Sequence, residues 1–279
     1  MPTPIPQALG DHAASAATKA TQARDLPRYL WSSMLAGVYV GLAVVLLVSV
    51  SAPLAASGAA ATKLVQGAVF GLALTLVVFA GAELFTGNAM VMLQGWWSRT
   101  VRPLDVALVW LASLVGNVVG SLLLAVTVHA GGTLTGPGAT LIGTITTGKD
   151  AAAGPQLFWR ALLCNALVCL ALWMAARTAS DGAKLAVLWW ALLAFIGSGF
   201  EHSVANVTTF ALGALDGSIG WGALGRNLLW TIPGNVVGGG LVIGLGYAWV
   251  GGRRLVPAVQ PEPAPAAVVV VEEPALTPV

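Results

Sequence analysis

Charge is what this chain has least of. Only 9% of its 279 residues are Asp, Glu, Lys or Arg, and 57% are hydrophobic. Soluble domains carry about 25% charged residues, so a water-facing surface of ordinary composition is excluded. With a mean hydropathy of +0.84 the chain reads as an integral membrane protein. A formal net charge of +2 is too small to suggest a nucleic-acid partner. Cysteine is nearly absent. Cys164 and Cys169 lie five apart in one apolar segment, which is neither a metal nor a redox spacing, and they read as small apolar fillers. No metal-like cluster and no cofactor motif occur, since His12 and His129 fall in a terminal segment and at a span end. A cleavable leader is not expected either. The first 25 residues are Ala-rich and polar, with Lys19 and Arg24, and lack a short apolar core before a small-residue site.

Long apolar runs are plentiful. They lie near 31–50, 64–95, 104–128, 156–176, 185–212 and 222–250, which gives six expected spans. The second covers about 32 residues, roughly 48 Å as one helix, too long for a hydrocarbon core about 30 Å thick. It contains "AGAELFTGN", which predicts a break near Gly81, and the fifth contains a second break at "GSGFEHS". Basic residues fix the expected orientation. Lys19, Arg24 and Arg28 precede the first span, Arg99 and Arg102 follow the second, Arg177 and Lys184 separate the fourth and fifth, and Arg253 and Arg254 follow the sixth. All fall on one side, so both termini are expected in the cytoplasm of a cell whose inner or plasma membrane holds the chain. Three regions follow. Residues 1–28 form a cytoplasmic segment whose Ala content suits a helix, 29–252 the membrane domain, and 253–279 a Pro/Ala/Glu-rich tail expected to be disordered.

A shift of 118 residues aligns polar positions without a gap. Gly81 falls on Gly199, Glu83 on Glu201, Asn88 on Asn206, and "GNVVG" at 116–120 on "GNVVG" at 234–238. The first and fourth spans align at a shift of 128, through Trp31/Trp159, Leu35/Leu163 and Val40/Val168. Three spans per repeat is an odd number, so the repeats must be inverted. The expected fold class is an all-α membrane protein of two inverted three-helix repeats with broken second and fifth helices, an architecture of transporters and channels. Broken backbone at membrane depth must line a cavity or be buried in protein. Glu83 and Glu201 each precede a second half-helix, where free N–H groups need an acceptor, so they are expected to cap it. Direct contact with a permeating molecule is the alternative. His202 aligns with Leu84 and has no counterpart in the repeat. It is either a buried neutral histidine or an intramembrane group that exchanges a proton, and the adjoining break favours function.

"GAELFTGN", "LCNALVCLALW" and "SGFEHSVANVT", in this order over six spans, resemble the formate/nitrite transporter family through most of 28–250. The resemblance implies homopentamers of aquaporin-like protomers in the lipid bilayer. Each would have its own pore for small monovalent anions of weak acids. It implies His202 as the central histidine, Thr86 as the threonine of the second-span break, and Lys149 as the vestibule cation, 16 positions before Asn165 of the "CN" motif. Asn235 matches the asparagine of the last "GN". Phe70 and Phe195 on one side, and Leu74 and Leu84 on the other, correspond to the apolar constrictions. "WMAART", "WWALLAF" and "VANVTTFALG" resemble the nitrite branch more than the formate branch, so nitrite is the expected substrate, with formate, hydrosulfide or lactate as alternatives. Whether His202 would transfer a proton or only donate hydrogen bonds stays open. An intramembrane hydrolase built on Glu201–His202 is the remote alternative from another class. It lacks a nucleophile motif, so no enzyme is expected.

Overall fold

The computed structural model describes residues 1–252. The tail expected to be disordered, with Arg253 and Arg254, lies outside the described residues. Every regular element among them is helical. In chain order these are α1 (Ile5–Gln22), α2 (Leu26–Ala56), α3 (Thr62–Phe70), α4 (Leu72–Phe79), α5 (Phe85–Trp97), α6 (Pro103–Ala130), α7 (Pro137–Asp150), α8 (Gly154–Ala176), α9 (Asp181–Gly197), α10 (Ser203–Leu215), α11 (Trp221–Asn235) and α12 (Gly246–Gly251). Between α11 and α12 the chain winds as a wider π-helix over Val236–Leu245.

By length and apolarity alone, five runs could cross a bilayer: α2, α3–α4, α6, α8 and α11–α12. The fifth expected span is two shorter helices, α9 of 17 residues and α10 of 13. Both expected breaks are present, over 80–84 and 198–202. Gly81 has φ +78° and Gly199 φ +72°. A Cβ at either would meet nothing within 4 Å, so glycine is required there for its dihedral and not for space.

The repeat is visible in the packing. α2 lies along α6, and α8 along α11. A Cβ on Gly120 would collide with the Met34 carbonyl, and one on Gly238 with the Leu162 carbonyl. Gly120 and Gly238 are 118 apart, Met34 and Leu162 are 128 apart, so the weaker sequence alignment of the first and fourth spans holds in three dimensions.

α1 closes one end of the bundle and α7 the other. Thr3 and Arg177 exchange two hydrogen bonds of 2.8 Å, and Arg24 pairs with Asp105 at 3.5 Å, which brings the chain start, the foot of α6 and the end of α8 to one face. At the opposite face Arg226 donates to the Asp150 and Ala152 carbonyls, tying α11 to the end of α7. The outer surface is apolar: Leu111, Val115, Leu123 and Val126 form an exposed row along α6.

Candidate functional site

Each break is held by an asparagine from a continuous helix. Asn117 on α6 accepts from the Phe85 amide at 2.9 Å and donates to the Ser33 and Glu83 carbonyls at 2.7 and 2.9 Å. Asn235 on α11 accepts from the Ser203 amide at 2.9 Å and donates to the Ala161 and Glu201 carbonyls at 2.8 and 3.0 Å. The two sets are equivalent under the repeat. Asn235, expected along the pathway, thus has every polar group committed to backbone and acts as a clamp. Asn117, its counterpart, was missed as a site residue, although "GNVVG" in both halves carried the signal.

The expected capping carboxylates do something else. Among the described bonds, neither Glu83 nor Glu201 accepts from a half-helix amide through its side chain, because the clamping asparagines already answer the first of those donors. Glu83 instead accepts from Lys19 at 2.7 Å, Tyr29 at 2.9 Å and Asn88 at 3.0 Å. Glu201 accepts from Lys149 at 2.8 Å and Asn206 at 2.7 Å. Each carboxylate therefore joins its own half-helix, through an asparagine in the first turn, to a lysine on a helix lying across the mouth. Lys19 on α1 stands to the first half as Lys149 on α7 stands to the second. Lys149 is thus an ion-paired group, and Lys19 is the partner that sequence alignment did not pair with it.

His202 begins α10. Its Nδ1 accepts from the Ala205 amide at 3.2 Å, so the remaining proton of a neutral ring sits on Nε2. Nε2 lies 3.1 Å from Thr86 Oγ1 and donates to it. The two residues come from opposite breaks and are buried, His202 at 4% exposure and Thr86 at 0%. Asn165 and Cys169 both donate to the Thr86 carbonyl, at 3.0 and 3.3 Å, and Asn165 also donates to the Asn235 carbonyl. Asn165 therefore positions Thr86, and a Cβ on Gly239 of the π-helical segment would displace it.

Apolar groups flank this pair. Phe70 and Phe195 meet edge to face at 5.6 Å, and Phe195 stacks on His202 at 6.0 Å. Leu74 and Leu84 are buried in the same apolar cluster. Two cavities approach from the ends. One, of about 160 Å³, is lined by Phe195, His202, Lys149, Lys63 and Gln66. The other, of about 340 Å³, is lined by Leu84, Asn88, Lys19, Lys184 and His12. Lys63 makes no ion pair among the described residues, and no group of three or more potential metal ligands occurs among them.

A family model described as formate/nitrite transporter matches residues 7–249. The chain belongs to the formate/nitrite transporter family. It is 41% identical over 240 residues to the nitrite transporter NirC of Salmonella typhimurium, covering 84% of this chain and 88% of that one. Among solved structures, an FNT family ion channel superposes with a TM-score of 0.82 at 39% identity, covering 88% of this chain and 98% of that chain. A pentameric formate channel with formate bound superposes with a TM-score of 0.68 at 26% identity, covering 81% and 98%. For this member of the formate/nitrite transporter family, the two cavities, the apolar residues and the His202–Thr86 pair together form the candidate pathway.

Proposed function

We infer that this chain carries nitrite across the membrane, one pathway per protomer in a homopentamer, with formate as an overlapping second substrate. The carrying observation is the buried His202–Thr86 pair between two cation-lined cavities, with apolar side chains on both sides. Similarity to a nitrite transporter supports nitrite over formate. The pentamer rests on likeness to a pentameric channel. The face carrying α1 is cytoplasmic, because Lys19, Arg24, Arg28, Arg99, Arg102, Arg177 and Lys184 gather there.

The mechanism follows from charge. An anion in the outer cavity is held by Lys63 and by Lys149, whose charge Glu201 partly answers. Between Phe70, Phe195, Leu74 and Leu84 a bare anion loses its hydration, at a cost of several kcal/mol. At the centre His202 can turn its Nε2–H from Thr86 to the anion, and the Thr86 hydroxyl can donate beside it. Because Nδ1 is held by the Ala205 amide, the ring stays neutral. Full loss of the Nε2 proton would leave an imidazolate. His202 therefore acts as a hydrogen-bond donor, and a proton that lets the weak acid cross uncharged comes from the mouths.

Uptake of nitrite and formate into vesicles at equal concentration and pH tests this. Nitrite flux, with slower or comparable formate flux, is expected. Formate flux with no nitrite flux would overturn the substrate assignment.

A further inference from the structure

His12 lines one cavity of the path but has been given no role in it, and it is placed with care. Its Nδ1 lies 2.6 Å from Gln94 Oε1. The Gln94 amide is oriented by donating its Nε2–H to the Gly244 carbonyl at 3.3 Å, so Oε1 can only accept. His12 Nδ1 therefore carries a proton in both charge states. Nε2 has no partner among the described residues, and the ring lines the 340 Å³ cytoplasmic cavity. The edge-to-face contact with Trp173, at 5.3 Å, fixes the ring plane.

The lysines of the same cavity are already answered. Lys19 pairs with Glu83 at 2.7 Å and Lys184 with Asp181 at 2.9 Å. A protonated His12 would add a positive charge that has no ion pair there. The outer cavity has its own cation in Lys63, which makes no ion pair among the described residues. The two mouths thus differ in kind, one with a lysine and the other with a histidine as the group outside any ion pair.

We propose that His12, with Lys19 and Lys184, forms a cytoplasmic station that binds the transported weak-acid anion when His12 is protonated and hands it a proton for the outward crossing. The step balances. The Nε2–H bond of the imidazolium breaks, the proton joins an anion oxygen, and neutral acid and neutral imidazole remain. The station rests on the transport of a weak-acid anion inferred above, and it supplies the proton that the capped ring of His202 cannot.

The charged and titratable groups around His12 set its range. Burial holds its pKa below the ordinary 6.5, the Gln94 hydrogen bond and Asp11 oppose this, and Lys19 adds to it. Lys184 faces the same cavity from α9, while Arg177 lies over Trp173, against which Tyr247 also stacks. Acidification of the cytoplasm switches the station on by charging His12 beside the two ion-paired lysines.

Reciprocity gives the test. If protonation of His12 strengthens anion binding tenfold, saturating nitrite raises its apparent pKa by about one unit. The measurement is NMR of ring-labelled histidine in the full-length protein in lipid nanodiscs, with His12→Gln assigning the signal. Gln at this position can still donate to Gln94. The expected result is an upward shift with nitrite and none with sulfate at equal ionic strength. Vesicle efflux should rise as the cytoplasmic-face pH falls, a rise lost in His12→Gln and kept in His129→Gln. An unchanged His12 titration in protein that transports nitrite would overturn the station and leave the transport reading standing. Absence of flux for any weak-acid anion would instead remove the reading on which it rests.

Discussion

Asn117 and Asn235 each replace two hydrogen bonds that a continuous helix would have made for itself, one to the amide after the break and one to the carbonyl before it, and each is anchored by a third bond to a carbonyl of a neighbouring unbroken helix. In Asn235→Ala the Ser203 amide and the Glu201 carbonyl lose their partner inside the protein, while the Ala161 carbonyl keeps its place within α8. Each buried unpaired group costs about 1–3 kcal/mol, so a loss of about 3 kcal/mol is expected, read as a lower melting temperature in detergent. Asn235→Asp should be no better, because a carboxylate cannot donate to the Ala161 and Glu201 carbonyls. A variant melting like wild type would remove the clamp role. Lys149 calls for a different experiment. Lys149→Ala leaves Glu201, 2% exposed, without its cation. Lower stability and weaker flux are expected together. Adding Glu201→Gln should restore stability without restoring flux, which separates the structural contribution of the pair from anion capture. His202→Phe should leave assembly intact and reduce flux, and unchanged flux and pH profile would return His202 to a packing role.

Among the elements, α1 has the most conditional attachment. Its His12 favours the neutral form when docked, so docking is fully supported above the ordinary pKa of 6.5 and weakens as pH falls toward the lowered folded value. Amides of α1 should lose protection, measured against their intrinsic exchange rates at each pH, below pH 6.5, and nitrite should restore it. The breaks were legible in the sequence because Gly, Glu and Asn recur at a fixed shift where chance would repeat Leu, Ala and Val. α7 was not. Its "PGATLIGTITTGKD" combines glycine with β-branched threonine, and both disfavour helix. The helix forms because Ile142 and Thr146 are buried at the mouth, and the hydroxyls of Thr140, Thr144, Thr146 and Thr147 are satisfied by carbonyls four residues earlier. The Lys19–Glu83 pair was hidden for a related reason. α1 and α7 share no sequence, and only their lysines meet equivalent carboxylates. The role given to Glu83 and Glu201 changed because a helix end buried in protein can be satisfied from a neighbouring helix as well as from its own flank.

For the whole molecule, the apolar outer surface must meet lipid or another copy of the chain. The mass of the protein in detergent should correspond to five protomers, and a monomer or tetramer would exclude the pentamer. The pathway itself has a history written in its asymmetry. His202 falls on Leu84 in the repeat, and Thr86 falls on Val204. The breaks, the asparagine clamps and the carboxylate–lysine pairs are common to both halves. The central donors are not. A protein built from two copies of the first half would have leucine and threonine on both sides. One built from two copies of the second would set two histidines against two valines. Neither contains the contact between Nε2 and Oγ1. The breaks and their asparagine clamps thus predate the divergence of the two halves, and the contact at the centre arose afterwards, once the halves were free to differ.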